Sequence, residues 1–526
     1  MRTRCRRKIS FPMVCLLLLS LSASAADINI LKYGAKGDGT TLNTVAIQQA
    51  IDECSATGGG RVTVPAGIFL SGTLYLKSKV NLFLEAGAVL KGSSRISDYH
   101  EVRHTPALII AEELQQVSVT GPGTIDGNGK AKSFQHGDNA KGRPMLMFFI
   151  DCSDVGIKDI RLRSPAFWTQ KYLGCDGVLV TGISVYAHAN WNNDGIDIDS
   201  KNVTVSNCRF DTDDDAICLK SEREEPCENI TITNCVAASN CNGIKMGTAS
   251  SGGFRNISIS NCAIHAASED NIRHWKTTLT GITADKTVIS GIAIEDVDGG
   301  HSDQINISNI TMQSVQTPIF IRLGNRHQPA GSLQHVNIGN IIATSESQMC
   351  NIISGIPDAD IKDVSIHDIQ LVSHAAGKAA LADSVPENTR GYPENRMFGQ
   401  TLPAAGFFIR HAEHIRLSRI YLEVPPEEER PFLVADDTRG LEVNDAGFVK
   451  GTAHAFPVLY FMRNAKEAAV TPPMFLPSFD VLLQTEGKGP ADIRLFLKEK
   501  PARGKTFSTD QGTKKDAVKV FFPGQD

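Results

Sequence analysis

One short phrase, an apolar–polar alternation flanked by turn residues, recurs down most of this chain. It reads "QVSVTG" from residue 116, "DVGIKDI" from 154, "GVLVTGI" from 177, "NVTVSNC" from 202, "NITITNC" from 229 and "NISISNC" from 256. It returns as "QINISNI" at 304, "HVNIGNI" at 335, "DVSIHDI" at 363 and "HIRLSRI" at 414. Several neighbours lie 23 to 28 residues apart, and larger gaps leave room for loops. Each phrase has the period of two that a half-buried strand needs. Short strands at a fixed spacing are the mark of a parallel β-helix, in which valines and isoleucines stack inward from coil to coil. The expected fold is therefore all-β, a right-handed parallel β-helix. Its 526 residues need not divide into several globular domains, because a solenoid core lengthens coil by coil. The 45 glycines and 6% aromatic content suit many short strands and turns.

The ends carry separate expectations. Residues 1–25 read as a signal peptide: Arg2, Arg4, Arg6, Arg7 and Lys8 precede the apolar "FPMVCLLLLSLSASA". An exported protein, periplasmic or extracellular, is expected, with no later run long enough to span a bilayer. In "TTLNTVAIQQAIDEC" Val45, Ile47, Ala50 and Ile51 have near-helical spacing, which predicts a short helix capping the open first coil. The rhythm fades near residue 426, so the predicted organisation is a β-helix catalytic domain over 26–425 and a small β-rich appendix over 426–526. A net charge of −5 offers no basic surface for nucleic acid or anionic membrane. Cys208, Cys235 and Cys262 sit at equal intervals, as an interior column of small hydrophobes would. There is no CxxC and no companion histidine pair, so no metal site is expected. Disulfides stay open for an exported chain. Asn202, Asn229, Asn256, Asn306 and Asn309 match the glycosylation acceptor pattern, but the repeat itself explains them as turn asparagines.

The chemistry concentrates in "NWNNDGIDIDS" at 190–200 and "DTDDDAICLKS" at 211–221. Asp194 precedes Asp214 and Asp215 by 20 and 21 residues, close to one coil, and neighbouring strands lie about 4.8 Å apart. The two stretches would thus bring carboxylates together on one face. Glycosidic hydrolysis needs such a set: an acid for the leaving oxygen and a base for water. Exposed aspartates are equally ordinary on a β-helix. Strand alternation alone would send Asp214 and Asp215 to opposite faces, so a bend is required for both to serve.

These stretches, followed by "CNGIKMGTASSGGFRNISISNC", resemble in order three signature blocks of glycoside hydrolase family 28, the polygalacturonase family. The opening "YGAKGDGTTLNTVAIQQAI" resembles that family's first coil, and the likeness runs over roughly residues 30–430. The family's N-T-D falls on Asn192-Asn193-Asp194 and its G-D-D on Asp213-Asp214-Asp215. The resemblance implies an inverting hydrolase with Asp214 as general acid and with Asp194 and Asp215 holding and activating water. Asn192 would orient a carboxylate or touch sugar. No cofactor is required, since acid, base and water suffice.

Two blocks depart from the family. Its G-H-G falls on Cys241-Asn242-Gly243, and Asn242 cannot titrate near neutral pH as histidine does. Its R-I-K, which grips the galacturonate carboxylate, falls on Ala293-Ile294-Glu295. An arginine and a lysine are thereby replaced by an alanine and an acid. This points from plain polygalacturonan to another pectic sugar at the cleft, such as rhamnose. Candidate substrate-binding residues are Asn192, Asn242, Lys245, Arg322, Arg326 and, in "HAASEDNIRHWKTT", Arg273 and Trp275. Arg410 and His411 are further cations near a strand end. The expected partner is a pectic oligo- or polysaccharide. A calcium-dependent lyase on the same scaffold would give an unsaturated product instead, and a non-catalytic carbohydrate binder would give no product.

Overall fold

The structure, a computed structural model, describes residues 26–135, 142–270, 279–379, 385–449, 454–514 and 516–523. The recurring phrases form one ladder of parallel strands. Val203, Ile230, Ile257, Ile305, Val336, Val364 and Ile415 occupy one register position in successive coils. All are buried. Full burial of such a side chain stabilises by about 1.5–3 kcal/mol, so the column repeats a favourable contact in every coil.

The ends of each phrase explain its turn residues. Gln116, Asp154, Asn202, Asn229, Asn256, Gln304, His335, Asp363 and His414, the first letters of their phrases, all have φ between 51° and 58°. A second corner five residues on repeats the device at Asp159, Asn207, Asn234, Asn261, Asn309, Asn340 and Asp368. Asparagine and aspartate tolerate this left-handed conformation better than other residues with a Cβ. Their amides then pair between coils, Asn256 donating to Asn229 at 2.8 Å and Asn229 to Asn202 at 2.9 Å. Four of the five glycosylation-like asparagines, Asn202, Asn229, Asn256 and Asn309, are therefore corners of the coil, while Asn306 lies within the strand His301–Leu323. Cys208, Cys235 and Cys262 are buried free thiols, as the repeat suggested.

Up to Phe448 the coils carry two further parallel ladders. One includes Ser184–Ala187, Arg209–Thr212 and Val236–Ser239. The other includes the start of Ile196–Ser206, then Ile217–Ser221, Asn242–Ser250 and Val288–Asp296. The short turns between these two ladders carry the aspartates. Near the N-terminus the helix α1, Thr44–Ala56, buries Ile47, Ala50, Ile51 and Cys54. Val45, expected on that face, is instead 70% exposed.

The expected break at residue 426 is corrected. Phe407–Glu423 pairs in parallel with Leu433–Arg439 and Glu442–Phe448. From there the ladder through Phe456–Arg463, Phe479–Glu486 and Lys505–Thr509 continues, as does that through Ala469–Thr471, Ile493–Phe496 and Val518–Phe521. Among the described residues the ladder of the second face has no strand after Phe448. The rhythm fades because one of three faces stops, while the stack itself runs on.

Candidate active site

Loop chemistry shapes the first aspartate stretch. The side-chain oxygen of Asn193 accepts from the amides of Ala189 and Asn190 at 2.9 and 2.8 Å, and its amide donates to the carbonyls of Pro165 and Phe167. Asn192 takes φ 56° and accepts from Arg143 at 3.0 Å. The second stretch bends where alternation required it. Residues 213–216 lie outside the strands, and the backbone oxygen of Asp214 accepts from the Thr212 and Ser239 hydroxyls at 2.6 and 2.7 Å. The turns are then stitched coil to coil. Gly195 donates to the Asp215 carbonyl and Ala216 to that of Asn242, both at 2.9 Å.

Asp194, Asp214 and Asp215 thereby share one cleft of about 710 Å³, lined also by Trp168, Asn192, Lys220, Glu222, Lys245 and Arg326. Asp213, at the family's glycine position, accepts from Asn240 at 3.2 Å and does not line the cleft. A segment distant in sequence closes another side with Asn388, Tyr392, Glu394, Arg396 and Met397.

The carboxylates are not electrostatically equivalent. Burial, with the charges of Asp197 and Asp214, pushes the Asp194 carboxyl well up, against the pull of Lys220. Burial also pushes on Asp215, but Lys245, Lys220 and the Asn242 hydrogen bond outweigh it and hold that group below the usual range. Lys245 reaches one oxygen of Asp215 at 3.0 Å and Asn242 the other at 2.7 Å. Lys220 lies 3.2 Å from Asp197 and 4.8 Å from the centre of the Trp168 ring. Burial pushes the Cys241 thiol well up, and the charges of Asp215 and Asp214 add to that push. Cys241 is thus held protonated beside the two carboxylates, which makes it a poor metal ligand.

Several sequence expectations change here. Asn242 does not line the cleft; its amide is spent on Asp215. Arg322 is fully buried, and its guanidinium donates to Ser354 and to the carbonyls of Gly355, Glu387 and Asn388. Arg410 likewise donates to the carbonyls of Val385 and Pro386. Both arginines face inward because a carbonyl-rich segment needs donors there, so they anchor the cleft wall rather than present a cation to it. Arg326 does line the cleft, clamped by both oxygens of Asp298 at 3.0 and 2.6 Å. Arg273 and Trp275 lie outside the described residues. Sequence reading missed Lys220, although it closes the quoted "DDDAICLK" and alternates outward from Leu219. It also missed Trp168 and the 388–397 wall, which no periodicity marks.

Raised carboxyls have a consequence for stability. Burial lifts Asp197 and Asp199 to about 6, Asp296 to about 7 and Glu295 to about 8. A carboxyl raised on folding contributes its stability fully below its unfolded value and loses it as pH rises through the folded value. The thermal midpoint should therefore decline between about pH 5 and about pH 8.5. The lowered Asp215 does not oppose this, since its contribution is already complete above the unfolded carboxylate range. Calorimetry across that window checks the sign; a midpoint that rises would contradict it.

Residues 54–388 match the family model described as glycosyl hydrolases family 28. A probable polygalacturonase of Vitis vinifera is 32% identical over 228 residues, covering 39% of this chain and 46% of that protein. An exo-poly-α-D-galacturonosidase of Dickeya chrysanthemi is 32% identical over 250 residues, covering 36% and 41%. The matched region thus spans less than half the length of these relatives. Among solved structures, an exopolygalacturonase from Thermotoga maritima superposes with a TM-score of 0.56 at 23% identity, covering 67% of this chain and 88% of that one. A family 28 exopolygalacturonase from Yersinia enterocolitica gives 0.58 at 20%, covering 84% and 78%. These two share the fold. With the family model spanning more than half its length, the chain belongs to glycosyl hydrolase family 28.

Proposed function

We propose that this protein is an exported, inverting glycoside hydrolase of pectic glycans, built on a right-handed coil capped by α1. The observation that carries the reading is the stacked carboxylate set, in which one member is held ionised and a neighbouring pair is crowded. Asp215, gripped by Lys245 and Asn242, is the base that activates water. Asp194 and Asp214 repel each other's charge, so that pair keeps a proton. Asp214, the more exposed of the two at 8%, delivers it to the leaving oxygen, and Asp194 holds the water in line. Asn192 and Trp168 contact the sugar, Trp168 offering a ring face. Residues 1–25 direct export.

The sugar at the cleft is of rhamnogalacturonan type rather than plain polygalacturonan. Every described cation lining the cleft already faces a carboxylate: Lys220 with Asp197 at 3.2 Å, Lys245 with Asp215 at 3.0 Å, Arg326 with Asp298 at 2.6 Å and Arg396 with Glu394 at 2.5 Å. A uronate would have to compete with these partners, whereas a neutral sugar would not. Release of reducing ends from rhamnogalacturonan and homogalacturonan oligosaccharides, compared at equal concentration, tests this. The reading expects the former to give the larger kcat/KM. Faster cleavage of homogalacturonan would overturn the sugar assignment while leaving the hydrolase.

A further inference from the structure

We propose that Lys245 is a positioning residue that keeps the water-activating carboxylate of Asp215 ionised and in plane, and that it does not contact the sugar. The inference rests on the hydrolytic reading for Asp215's role, and on geometry for everything else. Lys245 stands in Asn242–Ser250, one coil beyond the strand that follows Asp215, and is 3% exposed although it borders the cleft. An ammonium has three N–H donors. Around this one stand three oxygens of the chain: Asp215 Oδ2 at 3.0 Å, the Tyr392 hydroxyl at 3.4 Å and Glu295 Oε2 at 3.8 Å. The first two lie within hydrogen-bond reach and the third is an ion pair, so among the described residues the ammonium faces the chain's own oxygens.

The surroundings of Asp215 show why a fixed cation is needed. From the preceding coil it faces Asp194 and Asp197, and Asp214 precedes it in the chain. Glu295 faces it from two coils further on and Glu394 from the overhanging segment. The thiols of Cys218 and Cys241 are pushed up and carry no charge. Lys220 is the other nearby ammonium, and it is shared with Asp197 at 3.2 Å and Asp194 at 4.0 Å. Without Lys245, Asp215 would sit among five acidic neighbours with half a claim on one lysine and a hydrogen bond from Asn242. Its ionised form would then be lost well within the working range of a hydrolase.

Glu295 and Tyr392 complete the arrangement. Glu295 is buried and also accepts from Thr248 at 3.1 Å. It stands 3.8 Å from the Lys245 ammonium as a second buried carboxylate on the same cation. Tyr392 lies with its ring 5.6 Å from the ammonium and shields it from solvent on the open side.

The test uses the full-length enzyme with Lys245→Met, Lys245→Arg and the double variant Lys245→Met/Glu295→Leu. The double variant removes the Glu295 carboxylate that Lys245→Met alone would also strand, so misfolding caused by that buried charge is separated from the effect on Asp215. The acid limb of kcat/KM is expected to move up by about 1–3 pH units in Lys245→Met and in the double variant. KM should stay within about twofold and Lys245→Arg should restore the wild-type limb. A KM raised tenfold with an unmoved acid limb would make Lys245 a sugar contact and overturn the proposal. A second readout needs no substrate: the carboxyl ¹³C signal of Asp215, identified by its absence in Asp215→Asn. Its titration midpoint should rise in Lys245→Met, and an unmoved midpoint overturns the proposal. Should wild type cleave no pectic glycan, the hydrolytic reading fails, and this titration decides the role of Lys245 alone.

Discussion

Asp214→Asn is expected to lower kcat by about 10²- to 10⁴-fold, the usual contribution of a positioned acid or base. The coil should survive it. The turn is held through the backbone oxygen of Asp214, to which Thr212 and Ser239 donate. The hydrogen bond that its carboxylate accepts from the Asp215 amide at 3.1 Å can be kept by the asparagine oxygen. The thermal midpoint should therefore change little while initial rates on the preferred oligosaccharide collapse. Asp213→Asn is the control, because that side chain is tied to Asn240 away from the cleft. It should retain activity within a fewfold. Equal losses in the two variants would mean that the bend, rather than a titrating group, is what matters.

Arg430→Met is expected to give the largest loss of stability, about 3–5 kcal/mol. Arg430 is 1% exposed and Glu428 0%. They form a two-pronged pair, with Arg430 Nε to Oε1 at 2.9 Å and Nη2 to Oε2 at 2.7 Å. The remaining guanidinium nitrogen donates to the carbonyls of Gln348 and Leu402 at 2.7 and 3.1 Å. Removing the cation strands a carboxylate in the interior together with those carbonyls. Replacing both partners, as Arg430→Met with Glu428→Leu, removes the stranded charge and should recover most of the loss. Denaturant unfolding of the two variants reads this. If the single variant is within about 1 kcal/mol of wild type, the site is wetter than its burial implies.

The coil was legible because one phrase carries two constraints at once. Alternation set the inward column of Val203, Ile230 and Ile257, and asparagines at both ends of the phrase set corners with φ near 56°. That Asp194, Asp214 and Asp215 share one cleft was legible for the same reason, since a fixed coil length converts a sequence interval into spatial neighbourhood. Orientation outside the repeat was not. Arg322 and Arg410 read as cleft cations, but the carbonyls of residues 385–388 draw them inward. Those carbonyls belong to a segment without periodicity, over sixty residues from Arg322, so nothing near either arginine announced them. Lys245 is the intermediate case. Its place beside the cleft followed from the repeat, whereas its partner Tyr392 is 147 residues away. The C-terminal coils were underestimated because, among the described residues, only two of three faces keep strands there, which removes a third of the pattern.

The central claim is inverting hydrolysis by acid, base and water, and the anomeric configuration of the first product tests it most directly. A proton NMR time course on rhamnogalacturonan oligosaccharides should show new reducing ends of inverted configuration before mutarotation, and none with Asp214→Asn. Reducing ends of retained configuration would contradict the account by requiring a covalent intermediate, and olefinic signals would contradict it by showing elimination in place of hydrolysis.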